Sequence, residues 1–147
     1  WAPYVNSYRR LVPDMSAPIN LEWGYDNRTT GLRVPRSNPR NRRVENRLIG
    51  ADTNPYLAIA GSLAAGLLGI QNRVEPRADV VGNSFEGGRA LPYSLLEGLD
   101  AFTKSAELAE VLGQKFIDMY AALKFEEYDA FMQVISPWER QHLLLNV

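Results

Sequence analysis

The 147-residue sequence has no cysteine, and its first fifty residues contain no lysine. Without cysteine the chain forms no disulfide, thiolate metal site or cysteine nucleophile. The single histidine, His142, lies in a leucine-rich C-terminal segment, where a structural role is the simpler interpretation and no Ser/His/Asp triad can be argued. Neither a glycine-rich phosphate loop nor a G-x-G-x-x-G motif is present. These absences exclude cysteine chemistry and the commonest nucleotide-binding signatures.

Long uninterrupted apolar runs are also missing, which predicts that the chain does not span a membrane. The longest candidate, residues 55–70, is apolar nearly all round and is therefore predicted to be a buried helix. The polar and aromatic start is not typical of a secretory signal, and the first residue, Trp1, suggests a trimmed or excerpted chain. A composition of 46% hydrophobic and 22% charged residues is typical of one soluble domain, for which a cytoplasmic location is the default expectation.

Positive charge is concentrated at one end of the chain. Residues 1–50 contain nine arginines against four acidic residues, a formal charge of +5, whereas the whole chain carries −1 and the remainder therefore −6. A guanidinium is planar, stays charged, and binds carboxylate or phosphate oxygens through two parallel hydrogen bonds. The first third of the chain is therefore predicted to bind anions.

Turn residues and hydrophobic periodicity predict an α+β fold, with short antiparallel strands followed by several helices. The predicted strands are Pro18–Gly24, Arg28–Val34 and Arg42–Ile49. Residues 71–93 are predicted to form a polar surface loop between the helix at 55–70 and the later helices. Those helices are signalled by Ser94 with Glu97, by Ser105, by the periodic segment Gln114–Val134 and by Ser136 with Glu139.

The segment Arg43-Val44-Glu45-Asn46-Arg47 is the strongest candidate for chemistry. On a strand, Arg43, Glu45 and Arg47 share one face, because side chains alternate between faces. A carboxylate between two guanidiniums stays ionised and could ligate Mg²⁺ beside arginine-bound phosphates. The alternative is a solvent-facing sheet surface with neighbouring opposite charges. Glu126, Glu127 and Asp129 on the long predicted helix are most simply a solvated face.

Aromatic residues lie among the arginines, and this leaves a second class of function open. Tyr8, Trp23 and Tyr25 alternate with arginines in a composition that is typical of single-strand nucleic-acid binders. On composition alone, a non-catalytic module that binds anions or nucleic acid is the competing interpretation.

Four consecutive motifs give the sequence a family resemblance. N-S-Y-R-R-L-V-P, W-G-Y-D-N-R-T-T-G-L-R-V-P, R-R-V-E-N-R and N-P-Y-L resemble successive signatures of glutamine synthetases, in the family's order and near its spacing. The resemblance is strong over residues 1–70 and weaker to Val147. The ending Y-D-A-F-M-Q-V-I-S-P-W-E-R is most similar to the branch that makes γ-glutamyl derivatives of polyamines and other amines. With nucleic-acid binding then unlikely, the resemblance implies a C-terminal piece, residues 1–147, of a glutamine-synthetase catalytic domain, with Arg-rich strands and loops at 1–50 and mostly helices at 54–147.

The resemblance also implies an activity and its residues. ATP would phosphorylate the side-chain carboxylate of glutamate, and ammonia or a primary amine would displace the phosphate, with Mg²⁺ or Mn²⁺ as the cofactor. Each implied role belongs to a motif residue. For the substrate, Arg10 binds the glutamate carboxylate, Arg47 holds glutamate near its reacting carboxylate, and Arg28, as the catalytic arginine, contacts substrate and the transferred phosphoryl group. For the nucleotide and metal, Glu45 ligates the metal ion, and the nucleotide is bound by Arg33, Arg40 and Arg43. The implied partners are the missing N-terminal part of the enzyme and a ring of identical subunits.

The sequence departs from the family pattern at three places. The family's flap glutamate falls on Ser16, the loop between Arg33 and Arg43 is one residue shorter than in many bacterial members, and a tyrosine that is adenylylated in some members aligns near Phe85. Serine implies a preference for a primary amine over ammonia, and Phe85 implies that this regulation is absent. A glutamine-synthetase-like scaffold without activity remains a third interpretation.

Overall fold

The computed structural model describes residues 2–146. A three-stranded sheet has the order β1 (Trp23–Tyr25), β2 (Leu32–Val34), β3 (Glu45–Asn46). The α+β prediction is confirmed, and each strand overlaps or lies within a predicted segment but is shorter. The predicted antiparallel arrangement holds for β2 and β3, in which Arg33 lies opposite Glu45. It is wrong for β1 and β2, which pair in parallel with Trp23 opposite Leu32.

The parallel pairing follows from how residues 26–31 connect the first two strands. The Asn27 side chain accepts hydrogen bonds from the backbone and hydroxyl of Thr29, at 3.0 and 2.7 Å. The buried Thr30 hydroxyl donates to the carbonyls of Asn27 and Leu32. These bonds shape residues 26–31 into a turn that differs from the tight hairpins that commonly join antiparallel strands. Side chains therefore set the path of the backbone here.

The Asn20 side chain also sets the path of the backbone, and it does so for a larger part of the sheet region. It is 2% exposed, and its amide oxygen accepts from the backbone N–H groups of Glu22 and Gly31. Its amide nitrogen donates to the carbonyl of Thr29 and to the carbonyl and hydroxyl of Ser84, which belongs to the predicted surface loop. A buried amide satisfied on both sides fixes the relative position of three segments.

In the described part of the chain, residues 2–146, five α-helices follow: α1 (Pro55–Gln71), α2 (Leu95–Lys104), α3 (Ala106–Leu112), α4 (Gln114–Met132) and α5 (Pro137–Leu143). Short 3₁₀ segments lie at Val5–Arg10, Pro39–Asn41, Ser84–Gly87 and Leu144–Asn146. α2, α3 and α5 begin directly after the predicted caps Ser94, Ser105 and Ser136, whereas α4 follows Gly113, which offers no side-chain cap. The Ser136 hydroxyl and Glu139 carboxylate form a reciprocal capping box, as expected. Ser94 caps α2, but the Glu97 carboxylate accepts from the N–H of Tyr93 instead, so that box is only half formed.

The helical core lies between α2 and α4. Leu95 and Leu99 of α2 and Ile117 and Ala121 of α4 are buried, and the rings of Phe102, Phe116 and Tyr120 pack edge-on or stacked beside them. The Arg89 guanidinium joins this core to the first part of the chain, since it donates to the carbonyls of Leu11, Leu91 and Pro92.

The prediction that α1 is buried is wrong for this chain. Only Ala58 and Ala64 of α1 are buried. One stripe of large apolar side chains is exposed, with Tyr56 at 81%, Ile59 at 60%, Leu63 at 68%, Leu67 at 45% and Ile70 at 79%. Their spacing of three or four residues places them on a single helix face. We call these five residues the α1 stripe.

Two smaller expectations have different outcomes. Glu127 is not simply a solvated residue, because its carboxylate lies 2.7 Å from the ammonium of Lys124, which is 5% exposed and stacks over the Tyr4 ring. His142 is exposed, stacks on Trp138 and contacts its carbonyl, in agreement with a structural role. Within residues 2–146, none of the helices combines the length and hydropathy needed to cross a membrane.

Candidate functional site

The centre of the candidate site is the ion pair between Arg33 and Glu45. Because these residues face each other across β2 and β3, the guanidinium Nη1 reaches the carboxylate Oε2 at 3.0 Å. The other end of the guanidinium, Nη2, donates to the Asp26 carboxylate at 3.1 Å. The side chain of Arg33 is 19% exposed and those of Asp26 and Glu45 about half exposed. One arginine on the central strand β2 is thus held between two carboxylates.

Glu45 lies in a positive environment that keeps its carboxylate ionised. Its hydrogen bond with Arg33 lowers the pKa of the Glu45 carboxyl; partial burial opposes this, and the charges of Arg33, Arg47 and Arg28 reinforce it. Glu45 is therefore surrounded by guanidinium groups, as predicted, but they belong partly to other residues than predicted. Arg43 precedes β3 and donates to the carbonyl of Asn41, so Arg33 from the neighbouring strand takes the place predicted for Arg43. The prediction that Arg43 flanks Glu45 on a strand face is wrong for this reason.

Arg10 and Arg47 form the second half of the site. Arg10, at the end of the first 3₁₀ segment, donates to the carbonyl of Leu48 at 2.6 Å. Burial lowers the pKa of Arg10, an effect that the carboxylate of Asp52 opposes and the charge of Arg47 reinforces. Gly50 allows the Asp52 carboxylate to lie close to the backbone of residue 50, because a Cβ there would lie 2.3 Å from that carboxylate. Arg10 thus lies beside Leu48 and within the electrostatic influence of Arg47.

Arg47 also holds the segment in which Ser16 lies. Its Nη2 donates to the backbone carbonyl of Ser16 at 2.8 Å, and the Ser16 side chain is exposed. The Nε groups of Arg33 and Arg47 are buried, and neither has a hydrogen-bond partner within residues 2–146. Buried guanidinium N–H groups without partners are costly. Both Nε atoms are shielded from solvent, so a ligand oxygen can reach the two arginines only through the exposed parts of their side chains.

The remaining predicted arginines lie further out. Arg28 is exposed, contributes to the potential at Glu45, and lines a cavity of about 310 Å³ with Tyr25, Asp26, Arg36 and Asp79. Arg40 lies in the exposed 3₁₀ turn at Pro39–Asn41. Within the described chain, the structure brings neither Arg40 nor Arg43 into contact with the Arg33–Glu45 pair. Their nucleotide roles stay predictions.

Sequence reasoning missed two acidic residues of the site. Asp26 pairs with Arg33 and Arg36, and Asp52 accepts from the Ser7 hydroxyl close to Arg10. For Asp26 a signal existed, because an aspartate directly after a strand and before Asn-Arg is suited to a turn. No local pattern identifies its arginine partner.

A complete metal site is not formed by the described residues. Among residues 2–146, no group of three or more His, Cys, Asp or Glu side chains is arranged to hold an ion. Glu45, with an ionised carboxylate that is nearly half exposed, is suited to supply one ligand. Mg²⁺ is commonly bound through one or two carboxylates together with substrate phosphates and water. The chain therefore fits a divalent cation as one contributor among several.

Comparison with known proteins identifies the family to which this geometry belongs. Residues 1–143 match the family model described as "Glutamine synthetase, catalytic domain". The chain is 39% identical over 146 residues to the γ-glutamylputrescine synthetase PuuA of Escherichia coli, covering 99% of this chain and 31% of that protein. It is 40% identical over 140 residues to the γ-glutamylethanolamide synthetase GlnA4 of Streptomyces coelicolor, covering 95% and 30%.

A solved structure shows the same architecture. The structure titled "GmaS/ADP complex" superposes with a TM-score of 0.83 at 32% identity, covering 97% of this chain and 35% of that one. The chain thus spans about a third of the length of the curated relatives it matches. The match to the family model covers nearly all of the sequence, and the arginine–glutamate site lies entirely within it. On these grounds the chain belongs to the glutamine synthetase catalytic-domain family.

Proposed function

We propose that residues 1–147 are the C-terminal part of an ATP-dependent ligase that joins an amine to the side-chain carboxylate of glutamate through γ-glutamyl phosphate. The observation that carries the proposal is the 3.0 Å ion pair of Arg33 and Glu45 across β2 and β3, with the charges of Arg47 and Arg28 also acting on the Glu45 carboxylate. The printed names of two relatives, γ-glutamylputrescine synthetase and γ-glutamylethanolamide synthetase, describe such reactions in those proteins.

The chemistry of phosphoryl transfer supports this choice. Catalysis of such a step depends mainly on positioning and on neutralising charge at the phosphate oxygens. Planar guanidinium groups serve both needs, because each binds two oxygens at a fixed spacing. The excess of arginine over lysine in residues 1–50 supports a site for carboxylate and phosphate rather than a general basic surface.

The arginines divide between the two substrates, glutamate and ATP. Arg10, whose guanidinium donates to the Leu48 carbonyl, and Arg47 bind the carboxylates of glutamate, and Arg47 holds the carboxylate that reacts. Arg33 binds the ATP phosphates, and the exposed Arg28 contacts substrate and the phosphoryl group during its transfer. Arg40 and Arg43, in the exposed segment before β3, extend toward the nucleotide.

Glu45 is the proposed metal ligand, with Mg²⁺ or Mn²⁺ as the ion. When bound, the ion draws negative charge from the phosphate oxygens and lowers the barrier to transfer. Glu45 suits this role because its neighbouring arginines keep it ionised at neutral pH. Further ligands come from outside the described residues, since those residues hold no cluster of three candidate ligands.

The proposed source of those ligands is the preceding part of the same enzyme. The α1 stripe supports this partner, because a continuous apolar face on a 17-residue helix is costly to leave in water. The curated relatives are about three times longer than this chain, so enough additional chain exists in them to cover it. We further propose a ring-shaped homo-oligomer located in the cytoplasm, where ATP and glutamate are available.

For the nucleophile we propose a primary amine in preference to ammonia. Ser16 occupies the position of the family's flap glutamate; it is neutral and a poor base, and it leaves more room for an alkyl group. The structure adds that the Ser16 carbonyl is held by Arg47, the arginine assigned to the reacting carboxylate. Ser16 is thereby tied to the neighbourhood of the proposed reaction centre.

Two other functions compete with this proposal. A nucleic-acid-binding module would use the exposed arginines with the aromatic rings of Tyr8 and Tyr25. Tyr8, however, is half-buried against α2, and burial raises its pKa to about 12, so its ring is not a free stacking platform. A scaffold without activity would have the same fold, and it is separated from an enzyme by assay.

The test uses the full-length enzyme that contains this chain. ADP release and γ-glutamyl product are measured with glutamate, ATP and either ammonium, putrescine or ethylamine. We expect a higher kcat/KM for an alkylamine or polyamine than for ammonium. Glu45→Ala should lower kcat/KM by about a hundredfold or more, the scale on which preorganised charge stabilisation acts. Arg33→Lys should raise the KM for ATP, because lysine lacks the planar two-pronged grip.

Glu126→Ala is the matched control, since Glu126 is exposed on α4 and no polar contact of its side chain is recorded within residues 2–146. Near-normal rates for Glu45→Ala at saturating Mn²⁺ would remove the metal role. A clear preference for ammonium would overturn the amine assignment and make Asp14→Asn the next variant. The 147-residue chain alone should show no amine-dependent turnover; oligonucleotide binding that weakens steeply with salt would favour the nucleic-acid module.

A further inference from the structure

Asp26 adopts a backbone conformation that is unusual outside glycine. It directly follows β1 with a φ of 49°, in the left-handed region, which aspartate enters at lower cost than most residues. Its N–H donates to the carbonyl of Val34 at 3.1 Å, which anchors the turn to the end of β2. The turn places the carboxylate above the same strand that carries Arg33.

Among the described residues, the Asp26 carboxylate accepts hydrogen bonds from two donors and lies near a second guanidinium. Its Oδ1 accepts from Arg33 Nη2 at 3.1 Å and from the backbone N–H of Arg36 at 3.2 Å. The Arg36 guanidinium, 78% exposed, comes only to 3.9 Å of Oδ2 and lies over the Tyr25 ring. Arg33 is therefore the close, more buried partner of Asp26, and Arg36 is a weak competitor.

Arg33 has to serve two demands at once. In the structure its Nη1 is occupied by Glu45 and its Nη2 by Asp26. If Glu45 gives its oxygens to a divalent cation, the guanidinium loses much of that ion pair and experiences repulsion from the nearby cation. A side chain with several rotatable bonds then moves away unless another group holds it.

We propose that Asp26 is the positioning residue that keeps Arg33 in place when Glu45 binds the cation. This inference rests on the proposed function, in which Arg33 binds phosphate and Glu45 binds metal. Asp26 holds Nη2, so that Nη1, which Glu45 releases when it binds the cation, is left to meet incoming phosphate oxygens. Without Asp26, Arg33 pairs with Glu45 alone and competes with the cation for that carboxylate.

The test is Asp26→Asn in the full-length enzyme. Asparagine keeps the size, tolerates the left-handed backbone and retains an oxygen for the Arg36 N–H, but it removes the charge that holds Arg33. We expect the KM for ATP and the calorimetric Kd for ADP with Mn²⁺ to rise roughly fivefold, the scale of one partly exposed ion pair. The KM for glutamate should not change. Mn²⁺ binding without nucleotide, followed by electron paramagnetic resonance, should also weaken.

Two further variants make the outcome decisive. Asp129→Asn removes the same charge from the exposed face of α4 and should change none of these constants. Asp26→Gly adopts the left-handed conformation without strain and lacks the carboxylate, so it should reproduce the fivefold change even if the asparagine variant folds poorly. Equal increases in the KM for ATP and for glutamate would indicate a merely structural role and overturn the inference.

The inference can fail separately from the function on which it rests. If Arg33→Lys and Glu45→Ala impair the enzyme while Asp26→Asn leaves nucleotide and Mn²⁺ binding unchanged, Asp26 is not the positioning residue and the proposed function stands. If Arg33→Lys and Glu45→Ala also have no effect, the proposed function itself is wrong.

Discussion

The two parts of the chain obtain their structure in different ways. Residues 2–50 contain only short strands and 3₁₀ turns, and bonds from side chains such as Asn20 and Asn27 to the backbone determine their path. Residues 54–146 are mostly helical, begin every helix except α4 at a local side-chain cap, and pack through apolar side chains. The difference is that the first part depends on individual polar residues, whereas the second depends on apolar area, some of which the chain leaves exposed.

The largest effect is expected where the helical part exposes most apolar surface. Leu63→Glu places a charge in the middle of the α1 stripe, where Leu63 is 68% exposed. In the isolated 147-residue chain the free energy of unfolding should change by less than about 0.5 kcal/mol, as for other surface substitutions. In the full-length enzyme, where we propose that the stripe is covered, the loss should be about 3 kcal/mol or more, because an unpaired charge would be buried.

Urea denaturation of both proteins measures this contrast. Val74→Glu is the control: it makes the same kind of change at a residue 64% exposed in the loop after α1, outside the stripe. Equally small effects of Leu63→Glu in both proteins would mean that the stripe faces water in the full enzyme. The missing-partner part of the proposal would then be abandoned.

The next largest effect is expected in the polar part. Asn20→Ala removes an amide with partners in three segments and leaves the buried N–H of Gly31 without its acceptor. Each buried polar group left unsatisfied costs about 1–3 kcal/mol, so we expect a loss of about 3 kcal/mol in the free energy of unfolding. Chemical denaturation of the 147-residue chain provides the measurement.

A matched asparagine distinguishes the network from the residue type. Asn6 is exposed, and no side-chain hydrogen bond of Asn6 is recorded within residues 2–146. Asn6→Ala should therefore change stability by no more than about 0.5 kcal/mol. If the Asn20 and Asn6 variants are equally stable, the polar part does not depend on its amide network.

This contrast explains which parts of the fold could be predicted from the sequence. The start of α1 at Pro55 and the capping box of α5 were predictable, because a helix start is encoded within a few consecutive residues. The parallel pairing of β1 and β2 was not, since it depends on side-chain bonds within and around residues 26–31. The exposure of α1 was also missed, because periodicity identifies an apolar face without identifying what covers it.

In the candidate site, too, locally encoded features could be predicted and tertiary contacts could not. Sequence alternation correctly identified Glu45 as a carboxylate among guanidiniums, and the family motifs drew attention to Arg33. Strand alternation also predicted that Arg43 flanks Glu45, because that pattern assumes a strand longer than the two residues of β3. Cross-strand register, which places Arg33 opposite Glu45, and the bond from Asp26 are tertiary facts that no local pattern contains.

The smallest predicted effect tests that register directly. Arg33 lowers the pKa of the Glu45 carboxyl through a hydrogen bond, so Arg33→Gln should raise that pKa toward its ordinary value in the 147-residue chain. Arg43→Gln, which removes the residue that strand alternation had paired with Glu45, should leave it unchanged because Arg43 donates to Asn41 instead. A ¹³C NMR titration of the Glu45 carboxyl measures both variants.

The sign of the accompanying stability change follows from linkage. Because the folded pKa of Glu45 is depressed, its ionised form contributes stability above the unfolded pKa, and that contribution is lost as the pH falls through the folded pKa. Arg33→Gln should flatten this part of the acid-unfolding profile, whereas Arg43→Gln should not. If instead Arg43→Gln raises the pKa of Glu45 and Arg33→Gln does not, the carboxylate pairs along its own strand in solution, and the opposition of Arg33 and Glu45 across β2 and β3 is wrong.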